Sequence, residues 1–147
     1  MTKIKSVDDL LNYAIARETE ANNFYEKLAQ AVKKDGMREI LEGFAAEEAW
    51  HKEKLEAVKA GELAIGDEEI GSLGITDKLP EIKPAANMTY IDTLAFAMKK
   101  EKAAYTLYSN LAMVAQTQSL RQTLERLAQE EAYHKLRLEI EYDWETF

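Results

Sequence analysis

The 147-residue chain has no cysteine, two histidines, two prolines and six glycines. The missing cysteines remove disulfides, thiolate nucleophiles, iron–sulfur clusters and cysteine-ligated zinc together, so any metal must be held by oxygen and imidazole. Long apolar runs are absent as well. Nothing approaches the roughly 20 residues of a membrane-spanning helix, and no membrane association is expected. The N-terminal stretch MTKIKSVDDL lacks an apolar core before a small-residue cleavage site, so no signal peptide is read and the cytoplasm is the expected location. Positive charge is scarce: 19 Lys and Arg stand against 27 Asp and Glu, for a net charge of −8. A nucleic-acid partner would require a basic patch, whereas an acidic surface concentrates small cations. With 46 % apolar and 31 % charged residues, the remaining composition is that of one globular domain over 1–147.

Against this background one stretch stands out. Glu47-Glu48-Ala49-Trp50-His51 returns 83 positions later as Glu130-Glu131-Ala132-Tyr133-His134, and these two stretches hold both histidines of the chain. The same shift superposes Asp9 on Asp92, Leu11 on Leu94, Ala14 on Ala97, Glu18 on Glu101, Tyr25 on Tyr108 and Leu28 on Leu111. The chain is a duplicated unit, with one repeat at about 6–60 and the second at about 89–143.

Within each repeat the apolar residues recur at alternating three- and four-residue steps, the spacing of a helix that turns one stripe inward. Four stripes follow: Leu11 to Val32, Met37 to Val58, Leu94 to Ala115, and Leu120 to Leu138. Ser6 with Asp9 and Thr89 with Asp92 read as N-terminal caps, Asp35-Gly36 as the close of the first helix, and Gln116 to Ser119 as the second turn. Short turns predict two antiparallel helix hairpins. Residues 61–88 hold four of the six glycines and both prolines, and read as a long crossover. Such a linker is long enough to run the length of a bundle, or to carry the second hairpin into another subunit. The expected fold is all-α, a four-helix bundle of two repeated hairpins.

Glu18, Glu48, His51, Glu101, Glu131 and His134 all fall on the apolar stripes, where no lysine or arginine joins them. Glu18 and His51 are equidistant from the first turn, and Glu101 and His134 from the second, so each pair is expected at one level. Four carboxylates in an apolar interior cost several kcal/mol each unless they are protonated or neutralised. Two divalent cations would cancel four negative charges, and the i, i+3 spacing of Glu48-His51 and Glu131-His134 puts both ligands of each pair on one helical face. Carboxylates with one imidazole per metal suit iron or manganese better than structural zinc. Two iron ions are the expected cofactor, with manganese or mixed occupancy as the alternative. A bundle that has lost its metal is the plain reading against which this one stands.

One glutamate on each of two helices and Glu-x-x-His on the other two is the stated pattern of ferritin-like di-iron carboxylate proteins. With ExxAxxFY at Glu18 to Tyr25 and ExxAYxLY at Glu101 to Tyr108, the chain resembles the rubrerythrin family over nearly its whole length. The resemblance implies that Glu48 and Glu131 bridge the metals, that Glu18 and His51 complete one ion, and that Glu101 and His134 complete the other. It further implies reduction of hydrogen peroxide, or of dioxygen, with electrons from a separate donor. Two departures stand out. Ala104 occupies the position where rubrerythrins carry an additional glutamate, and the absent cysteines exclude a rubredoxin domain. The ligand set is also similar to that of bacterioferritin, which makes iron binding, storage or delivery the non-enzymatic alternative.

Three further pairs of positions and the last seven residues carry weaker signals. Tyr25 and Tyr108 lie on the ligand faces and serve either core packing, or a hydrogen bond to a ligand carboxylate or a redox role. Glu47 and Glu130 lie off the stripes, as a solvated face or a cation access route. Trp50 and Tyr133, also off the stripes, read as packing or subunit contacts before an electron relay. The closing EYDWETF reads as a helix end or an interface. A homo-oligomer is expected, with a dimer the simplest case.

Overall fold

The computed structural model describes residues 7–61 and 88–147. They form four helices and, among the described residues, no strand: α1 (Val7–Ala31), α2 (Asp35–Lys59), α3 (Tyr90–Val114) and α4 (Gln118–Thr146). The expected cap at Ser6 and the crossover at 61–88, apart from its two end residues, lie outside the described residues. Among the described residues no helix is long and apolar enough to cross a membrane. The chain divides into two compact units, Met1–Asp67 and Glu68–Phe147, each built on one hairpin.

In the first unit α1 packs against α2. The side chains of Leu10, Leu11, Ala14, Tyr25, Ala29, Met37, Leu41, Phe44, Leu55 and Val58 are buried. Each fully buried leucine here, such as Leu41 or Leu55, stabilises the fold by about 1.5–3 kcal/mol through apolar area removed from water. The stripe expected for α2 is buried at every position from Met37 to Val58. That of α1 is buried except at Ala21 and Leu28, which are partly exposed.

The turn between α1 and α2 differs from its sequence reading. Asp35-Gly36 opens α2 instead of closing α1. Asp35 sits in the first turn, where a carboxylate is favoured by the positive end of the helix dipole. The end of α1 is capped by a side chain reaching back from α2: Arg38 donates from Nε to the Ala29 carbonyl at 3.2 Å and from Nη2 to the Val32 carbonyl at 2.9 Å. A guanidinium thus supplies donors to carbonyls that the helix end leaves over, and no left-handed glycine is needed. The one described glycine with positive φ is Gly61, at 89°, just past the end of α2. There its N–H reaches the Val58 carbonyl at 3.1 Å.

In the second unit α3 packs against α4. The expected cap at its start is present in full. Thr89 Oγ1 accepts from the Asp92 N–H at 3.1 Å, and the Asp92 carboxylate accepts from the Thr89 N–H at 3.4 Å. Thr117 caps α4 by accepting from the Leu120 N–H at 3.1 Å. The turn is therefore Ala115 to Thr117, starting one residue and ending two residues earlier than expected, and Gln118 and Ser119 already belong to the helix. The α4 stripe is buried at Leu120, Leu124, Leu127, Glu131, His134 and Leu138 and runs on to Glu141.

Candidate metal centre

In the first unit, helix phase brings Glu18 from α1 and Glu48 with His51 from α2 to one level. All three are buried, at 2, 2 and 0 % exposure. His51 Nδ1 lies 3.6 Å from Glu18 Oε2 and 3.3 Å from Glu48 Oε1. Each residue offers one potential ligand atom, and these atoms lie within 4.8 Å of one another. Asn22, one turn beyond Glu18, donates from Nδ2 to the Ala45 carbonyl at 2.6 Å, which ties α1 to α2 beside this cluster.

The second unit repeats the arrangement. Glu101 from α3 and Glu131 with His134 from α4 are buried, at 2, 1 and 0 % exposure. His134 Nδ1 lies 3.6 Å from Glu101 Oε2, the same separation as in the first unit. Here too the candidate ligand atoms lie within 4.8 Å of one another. The equal spacing from each turn that the sequence shows is thus realised as side-chain proximity in both hairpins.

The electrostatics of the first cluster favour positive charge. Burial by itself lowers the pKa of the His51 imidazole, but the Glu18 and Glu48 carboxylates beside it outweigh that and push it up to about 10. The metal-free protein therefore holds a proton on His51 at neutral pH, and that positive charge partly balances two carboxylates that water does not reach. A divalent cation would do so more completely. Two carboxylates and one imidazole per hairpin, with no thiolate anywhere in the chain, form a donor set that fits iron or manganese.

The neighbouring residues differ between the units. Tyr25 and Tyr108 are both buried, at 1 % exposure. The Tyr25 ring meets Phe44 edge-on at 5.4 Å, a packing contact that fixes its position beside the α1–α2 seam. Trp50 lies with its ring 5.9 Å from that of His51, with Lys54 above it at 5.0 Å, while the equivalent Tyr133 is 55 % exposed. Glu130 is partly exposed and pairs with Arg126 at 3.1 Å, and Glu47 is partly exposed. Ala104 is partly exposed and supplies no donor.

Glu141 is a buried carboxylate that the sequence reading missed. It is 9 % exposed and accepts a 2.7 Å hydrogen bond from the Tyr90 hydroxyl. Burial and then the Glu141 carboxylate raise the Tyr90 phenol above its ordinary range. The signal was present: Glu141 follows Leu138 by three and His134 by seven, on the same stripe.

The model of the family described as rubrerythrin matches residues 9–142. Neither the curated proteins nor the solved structures contain a match to the chain. The matched span takes in all six candidate metal ligands, and Glu141 as well.

Proposed function

The chain belongs to the rubrerythrin family of ferritin-like all-α proteins, and from that premise we propose that it is a di-iron oxidoreductase that reduces hydrogen peroxide, or dioxygen, with electrons from a separate donor. Glu18, Glu48 and His51 would hold one iron, and Glu101, Glu131 and His134 the other, with Glu48 and Glu131 as the bridging carboxylates that the family pattern implies. The observation that carries this reading is the burial, in each hairpin, of two carboxylates and an imidazole around a common point.

When bound, the iron pair supplies two electrons, which with two protons convert hydrogen peroxide to two molecules of water. The protein's own groups set the conditions. The four carboxylates offset the charge of two divalent ions inside an apolar helix interior, where it would otherwise cost several kcal/mol. His51 must give up its proton to become a ligand, so loading the site releases protons. Tyr25 and Tyr108, buried two helical turns beyond Glu18 and Glu101 on the same helix faces, extend the apolar packing of each hairpin.

The test prepares the diferrous protein without oxygen and mixes it separately with hydrogen peroxide and with dioxygen. Faster oxidation by peroxide, without release of peroxide, supports the peroxidase reading, and the reverse order removes it. Iron per chain after aerobic loading separates catalysis from storage: a plateau near two iron ions supports the catalytic centre, while a continuing rise supports a mineral-storing role.

A further inference from the structure

Helix α3 carries positive charge on its outward face. Lys99 and Lys102 are exposed, and Lys100 between them stands over the Phe96 ring at 5.4 Å. Together with Tyr105 and Met113, which are 44 and 70 % exposed, Lys99 and Lys102 fall within about 120° of arc at 100° per residue. The buried stripe of Leu94, Ala97, Glu101, Tyr108 and Leu111 is centred on the opposite side of the same helix. Apart from Glu101 the one acid of α3 is Asp92, whose carboxylate is engaged in the cap with Thr89. No carboxylate stands three or four residues from either exposed lysine, where an ion pair along the helix would form.

The duplication provides an internal control. Eighty-three positions earlier, where α1 presents the same face, stand Ala16 for Lys99, Thr19 for Lys102, Asn22 for Tyr105 and Gln30 for Met113. Arg17, the counterpart of Lys100, pairs with Glu20 at 2.7 Å. Both repeats keep their ligand sets, so the candidate metal centre does not ask for lysines on this face. Only the second repeat has them, in a chain whose net charge is −8.

The position of the patch and its sign together point to an occupant. Lys99 and Lys102 flank Glu101 in the sequence, so a molecule seated on them is separated from that candidate ligand by one helix diameter, about 10–12 Å. An electron tunnels directly over such a span. The net charge of the chain repels an extended polyanion such as nucleic acid, whereas a local positive patch suits a small partner with an acidic face. Electron-transfer encounters are of this kind: they bury less than about 1,200 Å² and owe their speed to opposite charge. Tyr105 and Met113 add the side-chain types that make close contact at interfaces. On the reading that the electrons come from a separate donor, we infer that the outward face of α3 is the docking site for an acidic one-electron carrier protein. Each encounter oxidises one carrier by one electron, and two encounters supply the two electrons that, with two protons, convert one hydrogen peroxide to two molecules of water.

The test titrates the whole chain calorimetrically with a plant-type ferredoxin, an acidic one-electron carrier, and with cytochrome c, a basic one. Ferredoxin is expected to bind at low salt and to be released at about 1 M salt, where the screening length falls to about 3 Å. The double variant Lys99→Glu/Lys102→Glu should weaken ferredoxin binding by about 10-fold or more, and unchanged helicity would show that these exposed substitutions leave the fold intact. Ala16→Glu/Thr19→Glu, which puts the same charge on the equivalent face of α1, should leave binding as it is. The rate at which the ferric protein oxidises reduced ferredoxin should fall with the first variant and not with the second. Absence of ferredoxin binding at low salt, binding indifferent to salt or to the α3 variant, an equal effect of the α1 variant, or equal binding of cytochrome c would each overturn the inference. Peroxide enters none of these measurements, so a failure of docking is distinguishable from a failure of the proposed reaction.

Discussion

His51 Nδ1 lies 3.3 Å from Glu48 Oε1, one helical turn away on α2, with Glu18 closing the group from α1 at 3.6 Å. In the metal-free protein this contact is an ion pair, since the two carboxylates keep the buried imidazole protonated. Metal and proton therefore compete for the same atoms, and several expectations rest on that competition.

Iron uptake should strengthen with pH. Below about pH 10 the His51 proton must leave before the nitrogen can ligate, so this one group should make apparent affinity rise by up to about tenfold per pH unit through the neutral range. Isothermal titration with ferrous ion in buffers of different ionisation enthalpy would count the proton released. Uptake with no proton release at neutral pH would contradict the assignment.

The metal-free protein should show the opposite dependence. The folded pKa of His51, about 10, exceeds the ordinary 6.5. Its contribution to stability is fully present below pH 6.5 and is lost as pH rises through about 10. Melting temperature measured from pH 6 to 10 in the presence of a chelator should fall across that window. His51→Gln should be less stable at neutral pH by about 3–5 kcal/mol, the usual consequence of removing one partner of a buried ion pair, and should show a flatter profile.

Glu131→Ala should abolish paired-metal binding. Elemental analysis is expected to fall from two metal ions per chain to one or fewer, with far-ultraviolet dichroism unchanged because α4 keeps its leucine stripe. Retention of two ions in this variant would remove Glu131 from the bridging role.

The end of the second hairpin offers a test away from the metal ligands. Tyr90→Phe deletes the 2.7 Å hydrogen bond to the buried Glu141 and should reduce stability by about 1–2 kcal/mol in urea denaturation, with iron stoichiometry unaffected. Thr89→Ala dissolves the reciprocal cap with Asp92 and should cost about 1 kcal/mol, seen as faster amide exchange in the first turn of α3.

Much of this protein is legible without coordinates because an α-helix converts spacing directly into direction. The alternation of three and four places Leu41, Phe44, Glu48, His51 and Leu55 on one face of α2, and all five are buried. The 83-residue shift identifies the equivalent residues of α3 and α4, and Thr89 with Asp92 announces its cap through residue type alone. The turn at Asp35-Gly36 misleads because those residues suit both the end of one helix and the start of the next. The guanidinium of Arg38 that settles the matter belongs to the following helix.

By itself, then, the sequence determined the helical class, the repeat, and the six polar residues at interior phase, since each depends only on local periodicity. Tertiary structure alone decided that Glu18 reaches His51 and Glu101 reaches His134, that Glu141 is buried against Tyr90, and that the outer face of α4 is exposed while apolar. Contact between segments depends on how two helices meet, and period 3.6 gives the direction of a side chain without saying what it faces.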